Sequence, residues 1–483
     1  MHHAVWPKPI NMSGNRDRFV TAVIAAMTGA AAAAGLAFAW PGVALYDTII
    51  QYGQVTSGRY DDWHPPIMAR TWAGIEAVGL HGTGPLLALQ LTLFWGGIAL
   101  IASALAKARA PRSGMALSLA MLFPPVFDWT VAIDKDMQLV ATMVAATAIV
   151  AWFRLARRPI PRWGLATVAV FLVYAALTRA NAAFAVVPLA WGLCGWGASR
   201  FVVRSAILLG TTLVVLAALP PINHRLLGAS ASHVERTLPL FDLVGIAHYA
   251  PLPTVPEVPT ALWRAGERNH CYTPFFWDPF GNPATCGQIG DILTNDDDGH
   301  TPLFHNWLRE IARHPLAYAE HRVMHLNSNL RFLVPADEPS AAVPSGSQPN
   351  PWHIGATANA TTSAMEAATK AICRTPLGAP IAWLAVAFTL WWALAGTARQ
   401  PARDIGLAIA VSVCLMATSF AVVSIASDLR YHLWLFVGTL LAAAMSAACT
   451  DVPRERLAIG GSVTLIILII TGSARLMLTV LPT

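Results

Sequence analysis

FVTAVIAAMTGAAAAAGLAFAW, residues 19–40, decides the fold class of this chain. The run carries no charge, and it meets the roughly 20 apolar residues that a helix needs to cross bilayer hydrocarbon. Arg16 and Arg18 precede it and an AFA triplet at 37–39 falls near its end, an arrangement shared with cleaved leader peptides. A leader's apolar core is shorter than this, so the run reads as a retained first membrane helix. The rest of the chain agrees. Of 483 residues, 55% are hydrophobic and 12% charged, with a mean hydropathy of +0.51. Soluble domains carry about a quarter charged residues.

Working outward, apolar stretches begin near residues 19, 84, 113, 137, 163, 182, 204, 379, 404, 431 and 457. The expectation is an all-α polytopic membrane protein with about eleven transmembrane helices. Its parts would be a cytoplasmic tail (1–18), an N-terminal transmembrane bundle (19–220) containing a first outer loop (41–84), an extracytoplasmic loop domain (221–378) and C-terminal transmembrane helices (379–483). No internal repeat is evident.

The net charge of +6 is scattered rather than striped, which gives no footing for nucleic acid. It sorts instead by connection. With the N-terminus inside, Lys8, Arg16, Arg18, Lys107, Arg109, Arg112, Arg154, Arg157, Arg158, Arg162, Arg200, Arg204, Arg399, Arg403, Arg454 and Arg456 all fall in short cytoplasmic segments, as the positive-inside rule requires. The opposite face collects thirteen of the fifteen histidines and the long polar segment 221–378. Within that segment CYTPFFWDPFGNPATC (271–286) suggests a disulfide between Cys271 and Cys286, since an extracytoplasmic compartment permits one. The stretch from Pro302 to Leu333 reads as amphipathic helix broken near Pro315, and 336–360 reads as a flexible lid or linker. Cys194, Cys414 and Cys449 lie in apolar spans as fillers; Cys373 has no assigned role.

The chemistry-bearing residues also lie on that outer face. Asp47, in YDTIIQYGQ (46–54), follows the first helix closely, where an ionisable group near hydrocarbon is costly and tends to be functional. Asp also favours helix N-caps, so a capping role is open. In YDDWHPPIMARTW (60–72), Asp61, Asp62 and His64 fit a general base with its orienting partner, part of a metal site, or simply a turn. FDWTVAIDKDMQL (127–139) sets Lys135 between Asp134 and Asp136. LTRANAAF (177–184) interrupts an apolar stretch with Arg179 and Asn181. SDLRYHLW (427–434) offers Asp428, Arg430 and Tyr431, as a site or as a pair that tidies a tight turn. His321 and His325 have the i, i+4 spacing of a metal pair, but with no third ligand suggested an interfacial helix is the better reading.

Carboxylates beside a convergent set of cations at headgroup level suit group transfer from a lipid-linked phosphate: the cations hold the phosphate and the charge that develops on it. One carboxylate then serves as base toward an acceptor hydroxyl.

The acid after the first helix, followed by the Asp-x-His-Pro-Pro of 62–66, resembles the GT-C superfamily of membrane glycosyltransferases, which includes protein O-mannosyltransferases and lipid A aminoarabinose transferases. The Lys-Asp of 135–136, the Arg-x-Asn of 179–181 and the Asp-x-Arg-Tyr of 428–431 are similar to signatures of related bacterial membrane proteins. The resemblance covers residues 40–190 and 428–431, but not 221–378. It implies transfer of a sugar from a polyprenyl-phosphate donor, with inversion, to a lipid, glycan or protein acceptor on the outer face of a bacterial inner membrane, with membrane lipids as the other partners. Carried over, Asp47 is the base, and Asp62 and His64 support it or touch the acceptor. Lys135, Arg179 and Arg430 bind donor phosphate, with Asn181, Asp428 and Tyr431 beside them. Many relatives place two adjacent acids right after the first helix; here Asp47 stands alone and the adjacent pair is Asp61-Asp62, so the base is Asp47 or Asp62. No cofactor is required, though a divalent cation among the carboxylates is left open. A transporter or flippase of lipid-linked sugars would need similar cations, together with broken helices near mid-bilayer. A partner-binding assembly or sensor protein would tolerate loss of Asp47.

Overall fold

A bilayer core offers no water to backbone amides, so a segment inside it must satisfy its own hydrogen bonds, and apolar runs become helices. The computed structural model describes residues 15–195, 201–250, 258–282, 284–294 and 303–480. Most of the expected tail (1–14) and the connection holding Arg200 (196–200) lie outside the described residues. All eleven apolar stretches are helical, and six are long and apolar enough to cross a membrane: Arg18–Ala39, Gly84–Lys107, Lys135–Leu155, Val202–Leu226, Pro401–Val423 and Arg454–Leu478. Pro111–Ala120 and Pro124–Val131 make a seventh if read as one span bent by 69°. Three others are shorter apolar helices, Arg162–Thr178, Ala183–Cys194 and Pro380–Ala395, and Leu433–Ala447 is the last. The chain is an integral membrane protein of nearly all-α structure.

Gly84–Lys107 against Lys135–Leu155, and Pro401–Val423 against both Ala183–Cys194 and Leu433–Ala447, make up the centre of the bundle. Small residues set the approach, as is common between membrane helices. A Cβ on Gly97 would meet Val144 at 2.7 Å, and one on Gly438 would meet Val413 at 2.4 Å. In contrast, Val202–Leu226 and Arg454–Leu478 leave most of their apolar side chains exposed, a surface that lipid covers and water does not.

The two ends of the bundle differ chemically. At one end Lys107 Nζ lies 3.9 Å from the centre of the Trp152 ring, Arg403 Nε donates to Leu394 O and Arg456 Nη1 to Trp392 O. At the other end two short parallel strand pairs join distant loops. Val43–Ala44 pairs with Ala132–Ile133, and Tyr60–Asp61 pairs with Ala229–Ser230. Gln90, buried in its helix, donates to Thr130 O and Ala132 O at 2.8 Å each and so holds the first pair in place.

In the described part of the segment between the long helices and the C-terminal bundle, short helices predominate. Thr237–Tyr249, Thr260–Arg268, Thr285–Thr294, Leu303–Arg313 and Pro315–Asn329 surround their own core of Leu240, Leu243, Trp263, Phe280 and Ile289. Cys271 and Cys286 are disulfide-bonded, and the amphipathic run breaks at His314, before Pro315. Residues 336–360 are not a free linker. Ala356 N donates to Gly42 O, Gln348 N to Ala44 O, and Val343 N to Asp128 Oδ2. A composition that favours turns is here an ordered strap across the 42–44 strand.

Candidate functional site

Strand pairing places the key residues. Because Val43 and Ala44 lie in register with Ala132 and Ile133, the helices that follow, Tyr46–Ser57 and Lys135–Leu155, start side by side. Thr48 Oγ1 accepts from Leu45 N and donates to Ile133 O, joining the two starts. Asp47 is in the first turn of its helix but caps nothing, since the N-cap is Leu45. Its carboxylate turns instead to Lys135, whose Nζ donates to Asp47 Oδ2 at 2.7 Å. Arg430 Nη1 lies 3.0 Å from the same oxygen and 2.7 Å from Asp134 Oδ2. Arg430 Nε is 3.1 Å from Asp428 Oδ2, so the pair that tidies the 428–430 turn also reaches into the cluster. Arg179 Nη1 donates to Asp136, its Nε donates to Asn181 Oδ1 at 3.1 Å, and its guanidinium stacks on Tyr431 at 4.1 Å.

Thus Asp47, His64, Lys135, Arg179, Asn181, Asp428, Arg430 and Tyr431 meet in one largely buried cluster. Asp134 and Asp136, read from sequence only as flanks of Lys135, are full members. The DKD spacing was the available signal: Asp134 caps the helix by accepting from Asp136 N, which turns both acids toward the loops. Four carboxylates (Asp47, Asp134, Asp136, Asp428) face three cations (Lys135, Arg179, Arg430), so the cations are already matched.

Asp62 is elsewhere. It accepts from His224 Nε2 at 2.7 Å, Ser232 N at 2.7 Å and Ser232 Oγ at 2.8 Å, and so ties the first outer loop to the end of the long 202–226 helix. Burial pushes its carboxyl up, but these bonds outweigh burial and hold it below the usual range. That is a fastening role, and Asp62 has no contact with the Asp47 cluster.

The electrostatics of the cluster follow from burial against pairing. Burial alone would raise Asp47; Lys135 and Arg430 outweigh it and hold the carboxyl well below its ordinary value. His64 goes the other way. Burial, and then Lys135, push its imidazole down to about 3, so the ring is neutral. Lys135 Nζ lies 2.7 Å from His64 Nδ1, and an ammonium has donors only. Nδ1 therefore accepts, and the ring proton sits on Nε2. That atom is buried, has no hydrogen-bond partner and is 3.6 Å from Asp47 Oδ1. With Nδ1 taken by Lys135, the ring presents a donor on its other nitrogen.

The loop domain covers this end. Trp277 N donates to Ile425 O, Phe276 bridges Ala426, and Trp277 packs on Trp63 with ring centres 5.6 Å apart. Asp278, which follows, comes within the field of Asp428 and Asp47. Neither Trp277 nor Asp278 was singled out from sequence, because only the docking of the disulfide loop brings them here. His321 and His325 clamp the loop domain. His321 lies between Asp242 Oδ1 (3.1 Å) and the Tyr272 hydroxyl (2.9 Å), and His325 Nδ1 donates to Pro274 O. Among the described residues no group of three or more His, Cys, Asp or Glu side chains has the arrangement of a metal site.

No protein-family model, curated protein or solved structure matches the chain.

Proposed function

We propose that the protein transfers a sugar from a polyprenyl-phosphate donor to an acceptor hydroxyl, with Asp47 as the base. The observation that carries this reading is the pair of cations on one carboxylate, Lys135 Nζ at 2.7 Å and Arg430 Nη1 at 3.0 Å from Asp47 Oδ2. An acid that must ionise and two cations that suit a phosphate occupy one place at the end of a membrane bundle. The eleven helices are read as eleven spans, with the basic end cytoplasmic by the positive-inside rule. The cluster then faces outward from a bacterial inner membrane.

In the reaction the acceptor oxygen attacks the anomeric carbon as the bond from that carbon to the phosphate oxygen breaks, inverting the centre. The phosphate leaves with the electron pair, and Asp47 takes the acceptor's proton. Lys135, Arg430 and Arg179 stabilise the charge on the departing phosphate. A carboxylate held this far down is a weak base. Donor phosphate competes for Lys135 and Arg430, and as they turn toward it the proton affinity of Asp47 rises. Donor binding thereby switches the base on.

The test is label transfer from radiolabelled polyprenyl-phosphate sugars, with protein in lipid nanodiscs and an envelope lipid and glycan extract as acceptor. Wild type transfers label, Asp47→Asn loses about 10²–10⁴-fold, and Asp62→Asn keeps most activity because its carboxylate is spent on His224 and Ser232. Loss confined to Asp62→Asn moves the base. No transfer from any donor, with flipping of the same lipids, replaces the enzyme by a transporter.

A further inference from the structure

Beside the buried cluster lies an open cleft of ≈ 470 Å³, lined by Tyr46, Asp61, Trp63, His64 and Ser232 among others. This is within the size range of small-molecule sites. From it we infer that the cleft is a saccharide site, and that the acceptor is a neutral or amino-bearing glycan rather than an acyl lipid or an acidic sugar. The inference rests on the transferase reading above for its link to catalysis, but not for binding.

The lining argues for this class of ligand. Tyr46 and Trp63 expose 62% and 38% of their surface, offering flat apolar faces with polar edges of the kind that cover the C–H face of a sugar ring. Trp63 is braced from behind by Trp277. The same lining carries hydrogen-bond acceptors. The Asp61 carboxylate, which receives Trp63 N at 3.0 Å, is partly exposed. The Ser232 hydroxyl has its proton committed to Asp62 at 2.8 Å and presents lone pairs. Acceptors suit a ligand rich in hydroxyl or amino donors, and a carboxylate repels an anionic one.

The inner wall connects the cleft to the base. His64 is 6% exposed, and its Nε2–H has no hydrogen-bond partner. Its Nε2 lies 3.6 Å from Asp47 Oδ1, so the ring that borders the cleft also borders the base.

Saturation-transfer NMR on the full-length protein in nanodiscs, without donor, tests the inference. The probes are di- and trisaccharides of mannose, galactose, glucose, N-acetylglucosamine and glucosamine, with glucuronic-acid disaccharides as the acidic set. The expected result is saturation of ring C–H protons in the neutral and amino sugars, and about tenfold weaker binding in Trp63→Ala and in the surface variant Tyr46→Ala. No bound saccharide, a preference for the acidic set, or binding as tight as wild type in both aromatic variants overturns it. Label transfer to lipid or protein without saccharide binding overturns the cleft assignment and leaves the transferase standing. Saccharide binding with no transfer from any donor supports the cleft and removes the transferase.

Discussion

Arg430 touches Asp47, Asp134 and Asp428, and its removal would affect each differently. Asp47 keeps Lys135 and Asp428 is partly exposed, but the Asp134 side chain is fully buried. Leaving a buried charge without its partner costs about 3–5 kcal/mol. Arg430→Ala is therefore expected to lower the thermal stability of the purified protein steeply, with part of the loss recovered in Asp134→Asn, Arg430→Ala. Arg430→Lys keeps the charge but not the fork that spans several carboxylates, and falls between. Equal midpoints for the single and double alanine variants would show that Asp134 does not depend on Arg430. At the same scale, His64 holds no proton to lose near its ordinary value of 6.5. The pH profile of kcat/KM should show no inflection there; one abolished by His64→Gln would contradict the neutral donor.

Elements transmit what residues cannot. The loop domain docks beside the site through the Cys271–Cys286 loop and through Pro315–Asn329, where Arg322 Nη1 donates to Ser424 O and Asn329 Nδ2 to Ala426 O. Closing a loop of this length stabilises by about 3 kcal/mol through the unfolded state. Cys271→Ser should make the 258–294 region open and cleave readily under limited proteolysis, while the transmembrane bundle keeps its helicity by circular dichroism. Helix Thr237–Tyr249 sits so close to Pro315–Asn329 that a Cβ on Gly245 would lie 2.1 Å from His321 Nδ1. Gly245→Ala should displace that ring from Asp242 and open the same region. The strap has its own pivot in Gly355, where φ is +93° and a Cβ would meet Ser347 Oγ at 2.1 Å. A side chain there is strained by the backbone as well as the contact.

At the scale of the whole molecule, folding withdraws several histidines from water. Burial pushes His64, His325 and His432 each down to about 3 from an ordinary 6.5. Below 6.5 the unfolded chain takes up protons that the folded one refuses, so stability is full above that value and falls as the pH drops toward 3. Each such histidine contributes up to about 1.4 kcal/mol per pH unit. Thermal unfolding in nanodiscs should show a midpoint that declines with acid through this window, with a shallower slope in His325→Gln. A midpoint indifferent to pH from 6.5 downward would mean these rings are protonated in the folded state.

Sequence by itself determined the solvent in which this protein folds and singled out most members of the Asp47 cluster. Length and apolarity force helices wherever the backbone has no water. Charged residues such as Asp47, Lys135, Arg179 and Arg430 are legible because they are expensive near hydrocarbon. Partnership was not legible. Asp62 and Asp47 look alike in one dimension, and only contact with His224 and Ser232, more than 160 residues away, separates a carboxylate that fastens a loop from one in the charged cluster. Asp134 and Asp136 joined the site, and 336–360 became a strap, through hydrogen bonds between segments that local composition does not encode. Those bonds exist only once strands 43–44 and 132–133 pair, because register, not residue type, sets which side chains share a dry space.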